Sequence, residues 1–420
     1  MKPQPYIFDM ETSDPDDFLT LLLLLGHPEV DLIAVTITPG TREQVGIVRQ
    51  ALSWFGRDIP VGAFDIDHVG NCVSEWHYKA FPALKRTLQG RPDKPPAPTV
   101  DTEPGWKVLE ACFSEDVTLV CGAALKNLGA LLQHLGDTTP KLGRAFIQGG
   151  FAGEGVVPSE KQMEKFKGMV TCPTFNLNGD PKSALLVLEK RKWFSDLRFI
   201  GKQVCHRVKY DQTMHDRFKA VSTTWCDHEV CNCECHRAGS YILHVMACCS
   251  PCSRCGQNVA GYEGYATSPK SLSQSLIYQG MTQYLGRHKD GKAFHDPLAA
   301  CCAINPSIGT WASVELYRER GEWGSYLMPA SGVRIITDYD HEKFCHTLLG
   351  GKTDVFSNTM MLSLEDHADH LGIQVSEIQM GDRIGIGAAI ISHASGEFLN
   401  DIMELPPRKT DTVQCGWEQR

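Results

Sequence analysis

Apolar residues recur along the chain in short continuous runs separated by stretches of helical period. Tyr6-Ile7-Phe8 has the continuity of a buried strand, and Phe18 to Gly26, with Asp16 and Asp17 in its first turn, has the length of a helix. The alternation continues. Val30 to Thr38 predicts a second strand closed by Pro39-Gly40-Thr41, Gln44 to Phe55 a helix, and Val61 to Ala63 a short third strand. Past a proline- and charge-rich loop from Thr87 to Pro104, the pattern gives a helix over Trp106 to Phe113, a strand over Val117 to Cys121 and a helix opening within Gly122 to Leu128. Then come a strand at Ala145 to Gln148, a Gly149-Gly150 turn and an irregular stretch to Pro173. A helix over Lys182 to Lys190, a strand at Leu197 to Ile200 and a helix over Ser271 to Leu285 follow. Strands and helices in this rhythm predict the α/β class, with a mostly parallel, Rossmann-like central sheet flanked by helices.

Composition narrows the function classes. With 420 residues, one large domain with insertions or appendages is expected, and 42% hydrophobic residues suit a globular protein. A net charge of -9 without a Lys/Arg cluster argues against nucleic acid as a partner. No apolar stretch reaches the roughly 18 residues of a membrane span. The first strand begins almost at Met1, which leaves no room for a signal peptide and makes a cytoplasmic location the expectation. Of the 17 cysteines, eight fall between Cys226 and Cys255, in spacings that match no usual pair of zinc knuckles, so they read as an insertion at about 222–262. Cys205-His206 reads as structural. Residues 353–420 form a C-terminal extension with one strand candidate near Ile384 to Ile391 and no assignable role.

The chemistry concentrates in the loop after the first strand, where Asp9, Glu11, Asp14, Asp16 and Asp17 place five carboxylates in nine positions. Helix capping and the helix dipole account for Asp14 to Asp17 but leave Asp9 and Glu11 without a role. Such crowding drives partial protonation unless a cation or a row of hydroxyl donors neutralises it. With no His or Cys in the loop, the ion expected is a hard one, Ca²⁺ or Mg²⁺. An EF-hand is excluded by register, since the loop lacks Gly at its sixth position and has Thr20 in place of the bidentate Glu.

Five short motifs stand in order along residues 5–352: the acidic loop, the Ala123 to Asn127 turn, the Gly149-Gly150 pair, Phe175-Asn176 to Asp180-Pro181, and Phe294-His295-Asp296-Pro297-Leu298-Ala299. In this order they resemble the inosine-uridine-preferring nucleoside hydrolase family. The resemblance implies a nucleoside hydrolase-like domain over residues 1–352 and Ca²⁺-dependent cleavage of the N-glycosidic bond of ribonucleosides. By position, Asp9, Asp17, the carbonyl of Lys126 and Asp296 would hold the metal. Asp16, Asn176 and Asp296 would bind the ribose, and Glu11 and His295 would be catalytic. The partner implied is a ribonucleoside, with neither nucleic acid nor membrane, and the resemblance leaves room for a homo-oligomer. The residue types suit the reaction: an oxocarbenium-like state calls for an activated water, carboxylates around the sugar and help for the departing base. The loop is one residue longer than the family's and carries Glu11 for its second Asp, while Thr41 and Thr174 replace a usual Asn and Glu.

Two other classes remain open on sequence alone. Asp9-Met10-Glu11-Thr12 resembles the Asp-x-Asp-x-Thr loop of haloacid-dehalogenase-like, Mg²⁺-dependent phosphatases. A nucleoside-binding protein that kept the fold and lost turnover is the other.

Overall fold

In a computed structural model of the chain, the residues described are 2–84, 102–222 and 268–353. The cysteine segment, the loop from Thr87, and the strand candidate near Ile384 lie outside them, apart from a few flanking residues.

The chain opens with β1 (Gln4–Met10), α1 (Pro15–Gly26), β2 (Val30–Ile37), α2 (Arg42–Trp54), β3 (Val61–Ala63) and α3 (Glu75–Ala80). It continues with α4 (Gly105–Cys112), β4 (Thr118–Cys121), α5 (Lys126–Leu135) and β5 (Leu142–Gln148). Next are β6 (Thr171–Cys172), α6 (Phe175–Gly179), α7 (Pro181–Glu189), β7 (Phe194–Ile200), α8 (Lys202–Cys205), β8 (Lys209–Tyr210) and α9 (Gln212–Ser222). The last described part holds α10 (Pro269–Leu285), β9 (Lys292–Ala293), α11 (His295–Ile304), β10 (Gly309–Glu319), β11 (Glu322–Leu327), β12 (Arg334–Tyr339) and α12 (His341–Leu348).

Ten strands form one sheet in the order β3-β2-β1-β4-β5-β7-β12-β10-β11-β6. From β3 to β12 neighbours run parallel, and from β12 to β6 they run antiparallel. The chain leaves β1 toward β2 and β3, then returns to lay β4 on the other side of β1. That reversal opens a crevice at the carboxyl ends of β1 and β4, where open α/β sheets bind ligands.

The sheet is covered on both faces. Tyr6, Phe8 and Met10 of β1 pack with α1, α2, α10 and α11, while Ile7 packs with α4, α5 and α7 on the opposite face. All twelve residues of α1 are buried, and its end approaches α10 so closely that a Cβ on Gly26 would lie 2.2 Å from Cβ of Ser273. Such burial explains a helix that is apolar nearly all round.

The antiparallel extension is an element that the hydrophobic reading does not assign. Its signal is present in the sequence: Ala312, Val314 and Leu316 of β10 are buried at every second position, the strand period. The irregular stretch before Pro173 ends in β6, which pairs with β11 and closes the sheet's far edge.

Candidate active site

Every sequence-nominated residue except Lys126 and Asn176 comes from the acidic loop or the start of α11, and these two segments meet at the crevice. Asp16 and Asp17 start α1, and Asp296 is the second residue of α11. One carboxylate oxygen from each of the three lies within 4.8 Å of the others, and all three residues are buried. Burial first, then mutual repulsion, holds the carboxyls of Asp17 and Asp296 well above their ordinary range. Gly122, directly after β4, makes room for them. A Cβ there would stand 2.8 Å from Oδ1 of Asp296 and 3.0 Å from Oδ1 of Asp17, so no larger residue fits without displacing the acids.

Asp9 stands outside this group of three. It has the parity of Ile7 on β1, so its carboxylate lies on the face of α5, where it accepts hydrogen bonds from Thr36 Oγ1 (2.7 Å), Asn127 Nδ2 (2.9 Å) and Cys121 Sγ (3.3 Å). Even with these donors, burial raises its carboxyl to about 6. Thr36 and Cys121 are its register partners on β2 and β4, so three neighbouring strands present adjacent side chains on one face. Asp9 is thus anchored beside the group of three, and Asp16, nominated for the sugar, belongs to that group.

Glu11 bridges the two sides. Its amide donates to Oδ1 of Asp17 (3.1 Å) and its carboxylate accepts from Ser13 Oγ (2.8 Å). Burial, with the charges of Asp16 and Asp14 behind it, raises this carboxyl to about 7. Asn176, buried at the start of α6, donates to the carbonyl of Gly122 (2.8 Å) and to Gln148 Oε1 (2.7 Å), which ties the β4 and β5 ends together. Lys126 opens α5, with its ammonium 5.4 Å from the centre of the Phe64 ring. His295 donates its amide to Oδ2 of Asp16 (3.1 Å), its ring Nε2 is buried without a hydrogen-bond partner, and burial lowers the imidazole to about 4.

The two unusual threonines have distinct fates. Thr41 caps α2 in a reciprocal pair with Gln44, whose Nε2 also reaches Thr12 Oγ1 (2.9 Å) and braces the acidic loop. Thr174 precedes α6 with a buried hydroxyl that has no partner.

Lys292 is a neighbour of the acidic loop that sequence reasoning misses. Buried in β9, its ammonium lies 3.0 Å from Oδ1 of Asp14 and 3.3 Å from Oδ1 of Asp16, and these two acids raise its pKa. A lone Lys three residues before His295 carries no pattern by itself. Only the pairing of β9 with β8, which sets the chain's approach to α11, brings it to the loop. Cys205 and His206 join His295 in a second group, with ligand atoms within 4.8 Å of one another.

A sequence profile of the family described as inosine-uridine preferring nucleoside hydrolase matches residues 6–346. The chain belongs to that family. It is therefore a nucleoside hydrolase by class, an N-glycosidase. Among curated relatives, an uncharacterized protein of Aquifex aeolicus (strain VF5) is 23% identical over 345 residues, covering 80% of this chain and 95% of its own. The pyrimidine-specific ribonucleoside hydrolase RihA of Enterobacter sp. (strain 638) is 26% identical over 260 residues, covering 59% and 77% respectively. Two solved structures share the fold. An inosine-guanosine nucleoside hydrolase aligns with TM-score 0.52 at 18% identity, covering 82% of this chain and 98% of its own. A purine-preferring ribonucleoside hydrolase from Gardnerella vaginalis aligns with TM-score 0.51 at 15% identity, covering 83% and 97%.

Proposed function

We propose that this nucleoside hydrolase cleaves ribonucleosides to free base and ribose with Ca²⁺ as its ion. The observation that carries the reading is the buried group of Asp16, Asp17 and Asp296 around the Gly122 cradle. Three close carboxylates with oxygen donors only fit a hard cation, and repulsion between them makes the ion-free site costly. Asp17 and Asp296 would hold the ion, with Asp9 and the Lys126 carbonyl as further oxygens. A bound Ca²⁺ would supply the positive charge that keeps these carboxylates ionised and acidifies water beside them.

The chain's own groups supply the rest. Glu11, with a carboxyl near 7, is suited to take a proton from the attacking water at neutral pH. Asp16 and Asn176 would orient the ribose hydroxyls, while the carboxylates beside the ring favour positive charge on the sugar as the base leaves. His295 would assist the departing base. Lys292 holds Asp16 and Asp14 and keeps the loop's charge from scattering its members. Catalysis would occupy residues 1–352, in the cytoplasm, with 222–262 an insertion and 353–420 an extension.

The test is release of free base from a panel of purine and pyrimidine ribonucleosides, with Ca²⁺ and after chelation, by wild type and Gly122→Ala. Overpacking of this kind costs about 1–3 kcal/mol, read here as roughly ten- to a hundredfold weaker ion affinity. Base release by wild type that is indifferent to chelation would remove Ca²⁺, and no release from any nucleoside would remove the reaction.

A further inference from the structure

We propose that Cys205, His206 and His295 form a second metal site, distinct from the carboxylate group, which takes Zn²⁺ and thereby inhibits the hydrolase. The three ligand atoms come from α8, the residue after it, and the first residue of α11, and lie within 4.8 Å of one another. The two imidazole rings are 4.8 Å apart at their centres and inclined by 39°. One sulfur and two nitrogens are the donors of a borderline-soft ion and poor donors for Ca²⁺, so the two sites sort ions by chemistry. Three protein ligands leave a fourth position open for water.

The present contacts of these residues are easily given up. Nε2 of His295 is buried with no hydrogen-bond partner among the described residues. Among the described residues, the thiol of fully buried Cys205 meets Gln148 Nε2 at 3.4 Å and the carbonyl of Lys202 at 3.8 Å, both weak sulfur hydrogen bonds. Burial first, then the charges of Asp296 and Asp16, push the thiol up to about 12, so the ion must displace a firmly held proton, while the same two acids attract the incoming cation. Three ammonium groups oppose it, since Lys202 and Lys292 act on both imidazoles together with Lys165. The ammonium of exposed Lys165 sits 3.0 Å from Nδ1 of His206 and must turn to solvent as the ion enters. On binding, the Sγ–H bond breaks, its proton passes to water and a sulfur–zinc bond forms. The inhibition part rests on the proposed role of His295, whose ring the ion would occupy. The binding part does not.

The experiment uses the full-length, Ca²⁺-loaded protein, with Zn²⁺ content measured after dialysis and Co²⁺ as the spectroscopic probe. Wild type should hold one more equivalent of zinc than Cys205→Ser or His206→Ala, with unchanged Ca²⁺ content in all three. Any zinc taken up by Cys226 to Cys255 would be common to all and cancel. The cobalt difference spectrum of wild type against Cys205→Ser should contain a thiolate-to-metal charge-transfer band. Zinc affinity should fall by about a hundredfold or more in His206→Ala, since even outer-shell partners of a metal are worth 10–100-fold. It should tighten a few-fold in Lys165→Ala, the scale of one exposed charge. Should Cys205→Ser fail to fold, half-buried His206 carries the comparison. Equal zinc content in wild type and His206→Ala would overturn the site. Zinc bound without loss of base release would overturn the inhibition alone, while absence of base release in zinc-free protein would fall on the proposed function instead.

Discussion

Asp9 and Glu11 are two positions apart on the same strand end, yet they meet different surroundings and so do different work. Asp9 has three donors and a place between register partners, while Glu11 is held by its own amide and keeps its carboxylate at the edge of the crevice. Glu11 is therefore the carboxylate placed to exchange a proton with water at the crevice. Burial and the charges of Asp16 and Asp14 raise its carboxyl to about 7 without the ion, and a bound cation lowers it from there, so activity of the Ca²⁺-loaded wild type should rise with pH in a window below about 7 as the base loses its proton. Glu11→Gln should lower turnover by about a hundred- to ten-thousandfold and abolish that rise. The pH profiles of the two proteins check this, and equal turnover would exclude Glu11 as base. Asp9 was legible as an acid at a strand end. Its partners were legible only through strand register, which pairs residue 9 with 36 and 121, and register cannot be read from one strand alone.

Among the elements, α3 stores a dependence on pH away from the chemistry. His77 is buried in it between Phe18 and Trp76, at ring-centre distances of 5.1 and 5.0 Å, with Nδ1 on the carbonyl of Ser74 and Nε2 without a partner. Burial lowers its folded value to about 4 from an ordinary 6.5. A depressed histidine contributes stability that is present above 6.5 and lost as pH falls from there toward 4, because the unfolded chain binds the proton first. His77→Phe should remove this loss and shift the acid-unfolding midpoint, followed by tryptophan fluorescence, to lower pH. A midpoint unchanged or raised would show that the imidazole is not charged on unfolding in this window. Elements with a long apolar run, such as α1 and β2, were legible to within a few residues. The edge strand β6 was not, because two residues carry no period and pair only with a strand 150 residues later.

For the whole molecule, the ion and the fold should be thermodynamically linked. A ligand that binds only the native state at 100 times its Kd adds about 2.7 kcal/mol, several degrees in Tm for a domain this size. Calorimetry should therefore record a lower Tm after chelation, restored by Ca²⁺ and not in Asp17→Ala. A Tm indifferent to Ca²⁺ would separate stability from the carboxylate group. The family as a whole was legible because its motifs keep their order. The same order placed Asp296 with the acidic loop, whereas Lys292 was not legible, since it meets that loop only in three dimensions.

That distance along the chain has a consequence during synthesis. Asp17 leaves the ribosome 279 residues before Asp296 (296 − 17), which at about 5–20 residues per second is roughly 15–55 s. Through that interval the leucine-rich α1 lacks α10 and α11 to cover it, and the crowded acids at its head lack Lys292 as counter-charge. The first-made segment is thus the last to be neutralised, and a nascent chain stalled before Lys292 presents an apolar helix with an acidic tip to whatever chaperone meets it.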